Sequence, residues 1–375
     1  MDPSAAPGLR PIDDGRQSGQ AQAAPQEGIA PSGNHFLLLF PELREAPGPA
    51  WLREGDRVTY YTQNATVNLD PDEDGASGAG YLQYDLVALD DRIALSSLKY
   101  YLDVGNGNLT PSFVLAANGI PGAGDYWLSP KVLKKAERVA DDQLLVARMP
   151  LEVAGRTFQA VRFEYHADQA MYVWMFDEAS GLLLFYRHAI GADGAPHQQL
   201  ADMRLAGFRQ LQIPWQAGAA PDWSRAGSRM RYEGTWSAGI TGSTEYPLGF
   251  AALSEVTAAG RRWSQARVSS ELAGQLQGSS ERVTGSAQIF DGYWLPSQAL
   301  AAAEDGKILD QDPVTGATIR VSRDNAGRLT LEESGQAYRT SLTYDTADGA
   351  LIAVEQSWQT GIATNRVHLD LVSRD

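Results

Sequence analysis

The sequence predicts an all-β fold with minor helix, arranged as two tandem, duplicated curved antiparallel sheets or half-barrels. Three observations predict it. The chain has 375 residues, more than one ordinary core holds and enough for about two domains. Short aliphatic and aromatic runs alternate with Gly, Asn and Asp clusters, the pattern of meandering antiparallel strands. Finally, one half of the chain repeats the other in three places.

Pro49–Tyr60 reads PAWLREGDRVTY, and Pro221–Tyr232 reads PDWSRAGSRMRY. A DYWLSP segment beginning at Asp125 returns as DGYWLP, Asp291–Pro296. The turn DEASGLL, Asp177–Leu183, returns as DTADGAL, Asp345–Leu351. The three matches keep their order and nearly their spacing, so each repeat has the size of a small domain. Trp51 then corresponds to Trp223, Trp127 to Trp294 and Gly181 to Gly349, and recurring tryptophans read as shared architecture.

Residues 1–33 are rich in Pro, Ala, Gly and Gln and read as a disordered tether, with possible N-terminal tethering to a membrane as one role. Residues 34–48 form an apolar edge segment and linker. Within it, His35–Phe40 (HFLLLF) is expected to add an edge strand or to plug one end of a sheet. The first β repeat spans 49–215. Its clearest hairpin is Ala170–Phe176 and Gly181–Ile190, joined by a turn in which Gly181 is expected to take positive φ. After a QAGAA junction, the second β repeat spans 221–375. Each repeat offers one short helix in the same place. Ser129 and Pro130 start Lys131–Ala140, and Ser297–Glu304 is alanine-rich.

Composition narrows the function. The net charge of −15 makes nucleic acid and anionic membrane surfaces poor partners. With no cysteine, disulfides, thiolate metal sites and cysteine nucleophiles are excluded, and an extracytoplasmic location is expected: periplasmic, outer-membrane-tethered or secreted. No apolar run approaches the length of a membrane-spanning helix. No nucleophile-elbow, zincin or phosphate-loop motif is present. His188 and His197 flank a turn and read as a surface pair.

Two site hypotheses arise. Asp70–Gly75 reads DPDEDG, in which alternate acids Asp70, Asp72 and Asp74 on a tight turn could converge on calcium. A solvated acidic turn is the simpler reading, because a Tyr stands where the loop's closing Glu belongs. Trp215, Trp236 and Trp263 have no repeat partner and are the candidate ligand-binding residues, with core packing as the alternative.

Asp291–Gln298 (DGYWLPSQ) with the strand Thr318–Arg323, and the hairpin Trp174–Tyr186 (WMFDEASGLLLFY), resemble pieces of the bacterial periplasmic lipoprotein-carrier group, the LolA/LolB-like half-barrels. The resemblance implies a curved antiparallel sheet closed by short helices over a diffuse apolar groove. Three function classes follow as expectations. One is a non-enzymatic envelope protein that binds an apolar ligand or lipidated partner on a concave β surface. The others are a structural or interaction protein of the cell surface, and a carboxylate-based hydrolase.

Overall fold

A computed structural model describes residues 33–68, 77–105, 107–167, 169–191, 197–240, 246–324, 328–360 and 362–375. Most of the tether, and the acids Asp70, Asp72 and Asp74 of the calcium-loop reading, lie outside these residues.

The first half contributes β1 (Asp56–Asn68), β2 (Ser77–Leu89), β3 (Ala94–Asp103) and β4 (Leu109–Gly119). A small hairpin follows, β5 (Ala123–Gly124) and β6 (Trp127–Leu128). Then come β7 (Leu144–Val153), β8 (Arg156–Ala167), β9 (Ala170–Asp177), β10 (Leu183–Ile190) and β11 (His197–Gln210). In the second half are β12 (Arg229–Ile240), β13 (Leu248–Ala259), β14 (Trp263–Leu272), β15 (Gln275–Gly285) and β16 (Ile308–Gln311). The remaining strands are β17 (Thr318–Arg323), β18 (Leu329–Ser334), β19 (Tyr338–Tyr344), β20 (Leu351–Thr360) and β21 (Ala363–Arg374).

The two large sheets share one topology. The first runs β4-β3-β2-β1-β11-β10-β9-β8-β7, and the second runs β15-β14-β13-β12-β21-β20-β19-β18-β17 with β16 added at its edge. All their pairings are antiparallel, and in each sheet the first and last strands of the repeat pair centrally. This is the tandem duplication that the sequence motifs predict.

Those motifs converge on one junction in each half. The Trp51 indole N–H donates to the Ser180 carbonyl at 2.8 Å, and Trp223 donates to the Asp348 carbonyl at 3.1 Å. Leu128 N–H donates to Gly181 O, and Leu295 N–H to Gly349 O, both at 2.9 Å. Tyr60 and Tyr232 hydroxyls cap the Leu183 and Leu351 carbonyls at 2.9 and 3.0 Å. The recurring residues are therefore the groups that satisfy backbone polar atoms where the YWL segment crosses the hairpin end, an obligation that burial imposes.

The segment around His35 corrects the edge-strand expectation. Gly33–Leu39 is an α-helix, α1, followed by a 3-10 turn at Pro41–Arg44. Phe36, Phe40 and Leu43 are buried, whereas Leu38 is 80% exposed. Phe36 is buried from within α1, and Phe40 and Leu43 follow from the break and the 3-10 turn that end it. The Phe36 ring lies 5.1 Å from Phe163 and 5.3 Å from both Trp174 and Phe176, so α1 plugs the first concavity. The second helical expectation is also shortened: Pro130–Leu133 is α2, and Lys135 leaves helical geometry before a 3-10 turn at Ala136–Val139. Its counterpart in the second half is α3, Ser297–Ala302.

An ion-pair network joins the halves. Within the first half Arg57 makes two bonds to Asp85, at 2.6 and 2.7 Å; across the halves Arg209 makes two to Asp310, both at 2.6 Å, and Arg57 reaches Asp312 at 3.4 Å. Asp312 accepts from Arg209 at 2.8 Å, from Gln83 at 3.0 Å and from the N–H of Thr315 at 2.9 Å. Burial alone would raise the Asp312 carboxyl; the Thr315 N–H and the two arginines outweigh it and hold the group at about 2. With its pKa depressed on folding, Asp312 contributes stability above the ordinary carboxylate range, and the contribution fades as pH falls through about 2. Asp312→Asn is expected to cost about 2 kcal/mol at pH 7. Urea unfolding midpoints of variant and parent, measured from pH 7 down to 2.5, should draw closer as pH falls without yet meeting at 2.5.

Candidate functional site

The two concave faces are filled differently. Counted from the turn glycines, Trp174 matches Leu342, Tyr186 matches Val354, and Tyr172 matches Thr340. Pairing supports the match: Trp174 faces Tyr186 across β9 and β10, and Leu342 faces Val354 across β19 and β20. Tyr84, paired with Val58, matches Ser254, paired with Met230. In the first half, then, four aromatic side chains and α1 occupy the hollow of the sheet. In the second half Leu, Val, Thr and Ser stand at those four positions.

The difference leaves a cavity of about 100 Å³ in the second half. Its walls are apolar residues of the second sheet, among them Phe250, Val268, Leu342, Val354, Val367 and Leu369. Pro111 and Val114 of the first half form part of its cover. The interhalf face therefore stands over the second hollow, while α1 plugs the first.

Polar groups enter the cavity at Lys99, Asp291, Arg282, Tyr293, Gln356 and Thr340. Lys99, from β3 of the first half, donates to Asp291 at 2.8 Å and to both Glu333 oxygens at 2.9 and 3.0 Å. Glu333 also accepts from the hydroxyls of Tyr101 at 3.1 Å and Tyr338 at 2.7 Å. Burial acts to lower the Lys99 ammonium, but the Asp291 and Glu333 carboxylates outweigh it and raise its pKa. Asp291 has φ of +67°, and the matching position in the first half is Gly124. A side chain in left-handed geometry costs free energy, and here it sets a carboxylate in the cavity wall. The Tyr293 hydroxyl is hydrogen-bonded to Arg282, and burial raises its pKa. Thr340 Oγ1 is buried and has no hydrogen-bond partner within the chain.

The sequence candidates lie elsewhere. Trp215 is fully buried in the core and donates to the Gln288 carbonyl at 3.2 Å. Trp236 is partly buried against the second core, and Trp263 packs with Val87 and Val283 where the halves meet. Trp215 and Trp236 belong to the second core and Trp263 to the cluster between the halves, and none of the three lines the cavity. His188 is buried rather than superficial: its ring stacks on Tyr172 at 4.4 Å, and it pairs with Ala201, not with His197. Among the described residues no group of three His, Asp or Glu side chains is placed to hold a metal ion.

Two sequence signals for the cavity were available. Lys99 is a lone cation in the otherwise uncharged run ALSSLKYYL, and the aromatic positions of one repeat are small in the other.

No protein-family model matches the chain. No curated protein matches it either. Among solved structures it is similar to MucB in complex with MucA(peri), at 9% identity over 90% of this chain and 93% of that one, TM-score 0.23. MucB alone matches at 11% identity over 63% and 81% of the two chains, TM-score 0.24. A putative AttH from Nitrosomonas europaea matches at 11% identity over 94% and 99%, TM-score 0.17. These likenesses do not show membership of the lipoprotein-carrier group; what stands is a low-identity likeness to MucB. With scores this low, the fold assignment rests on the chain's own strand order.

Proposed function

We propose that this is a non-enzymatic, extracytoplasmic binding protein that holds the apolar end of a small molecule or of a lipidated partner in the concave face of its second half. The observation that carries the reading is the loss of aromatic filling there. Leu342, Val354 and Thr340 line a hollow, where Trp174, Tyr186 and Tyr172 stand at the matching positions of the first half. A cavity of roughly 150 Å³ accepts benzene, so about 100 Å³ has room for a chain end or a small group and not for a whole lipid. The unpartnered Thr340 hydroxyl and the Asp291 carboxylate supply polar contacts that would fix the ligand's orientation. The two carboxylate groupings, Asp310 with Asp312 and Asp291 with Glu333, are bound to cations, which favours binding over hydrolysis.

Restoring the first half's filling tests the reading. Val354→Tyr, the residue found at the matching Tyr186, is expected to abolish binding of a hydrophobic dye such as 1-N-phenylnaphthylamine. It should also remove any ligand that co-purifies in native mass spectrometry. A parent that carries no ligand and binds no dye, or a variant that binds as well as the parent, would sink the proposal.

A further inference from the structure

We infer that the hairpin tips at one end of the second sheet dock the protein on the surface of an uncharged lipid bilayer. The inference extends the binding reading above, and the experiment below separates the two.

Sheet topology gathers these tips. The β12–β13, β14–β15 and β20–β21 turns lie at the same end, since Ile240 pairs with Ala363, Phe250 with Leu272, and Leu272 with Gln275. Each turn exposes apolar side chains. Tyr246 is 77% exposed, Ile362 74% and Leu276 67%, and Ile240 and Leu248 are exposed beside them. Exposure of this order is costly unless something covers it.

Charge and shape select the occupant. Among the described residues of these turns, Ile240, Tyr246–Gly249, Leu272–Gln277, Gln359–Thr360 and Ile362–Asn365, none is charged. The chain as a whole carries −15, so an anionic membrane would repel it while a zwitterionic one would not. In sequence the β12–β13 turn carries one acid, Glu245 beside Tyr246, whereas the matching β1–β2 turn of the first half carries four, Asp70, Asp72, Glu73 and Asp74. The side chains stand on three separate hairpins with Gly, Gln and Thr around them. Such prongs enter a fluid interface singly, whereas a rigid protein surface packed against them would leave gaps. A tyrosine among aliphatic residues is the composition that favours the boundary between headgroups and acyl chains.

The end also adjoins the cavity. Phe250 and Val367 line it, and the next contacts toward the tips are Leu248 and Trp236, which pair with each other. No charged side chain intervenes between Phe250 and Leu248 on β13.

Flotation of the full chain with phosphatidylcholine vesicles tests the inference. The parent is expected to float with the vesicles, to remain bound in high salt, and to bind less when phosphatidylserine is added. Tyr246→Ser, Leu276→Ser and Ile362→Ser combined should lower the partition more than ten-fold while leaving the unfolding midpoint unchanged, because all three sites are exposed. Val354→Tyr, which fills the cavity, should float like the parent, so failure of the cavity reading would appear in dye binding and not here. A parent that stays with the soluble fraction, a triple variant that floats undiminished, or tips that instead drive self-association in vesicle-free sedimentation would each overturn the inference.

Discussion

Lys99→Met is expected to unfold at a much lower denaturant concentration than the parent, with a loss of about 3–5 kcal/mol, because it leaves the buried Glu333 and the half-buried Asp291 carboxylates without their cation. Lys99 is buried, and it is the cation that Asp291 and Glu333 share. The Tyr101 and Tyr338 hydroxyls would still donate to Glu333, but they carry no charge to balance it. Adding Glu333→Gln should therefore restore part of the loss, since the amide oxygen still accepts from both hydroxyls. Chemical unfolding of the two single variants and the double variant forms a cycle that isolates the pair. A cost below about 1 kcal/mol for the single variant would show that the cation is not what stabilises this junction. The same cycle has a pH signature. The folded Lys99 pKa is raised, so its stabilisation is present below the ordinary lysine range and is lost as pH climbs through the folded value.

Gly349→Val and Gly181→Val are expected to cost about 3 kcal/mol or more each, combining left-handed strain with overpacking. Gly181 has φ of +77° and Gly349 +75°. A Cβ at either would lie 1.9 Å from the Leu128 carbonyl oxygen or 2.1 Å from that of Leu295. Both obstacles are backbone and cannot rotate aside. Thermal melts of the two variants should show similar falls, because the junctions are equivalent. An asymmetric result, with one variant near the parent, would contradict the structural equivalence of the halves.

The duplication was legible in sequence because its markers are backbone requirements. A turn that needs positive φ demands glycine at Gly181 and Gly349, and the carbonyls of that hairpin end demand donors such as Trp51, Trp223, Tyr60 and Tyr232. Such demands repeat wherever the fold repeats. The helical state of α1 was less legible. HFLLLF is a short apolar run, and so short a run does not separate a buried strand from a buried helix turn. The curvature of the first sheet and the rings of Phe163, Trp174 and Phe176 select the helix.

The cavity was illegible for a related reason. Trp215, Trp236 and Trp263 stood out in sequence as large aromatics without a repeat partner, whereas the hollow in the second half lies where aromatics are missing. A cavity is made by what side chains leave unfilled, and no motif announces an absence.

The sequence by itself determined the all-β class, the duplication and the turn glycines, since alternation, spacing and positive φ are local properties of the chain. Only tertiary structure decided where the cavity lies and that Lys99 of one half meets Asp291 and Glu333 of the other. It also gathered Tyr246, Leu276 and Ile362, far apart in sequence, at one end of a sheet. Void volume, buried charge pairing and shared surface depend on long-range strand order, which local spacing does not encode.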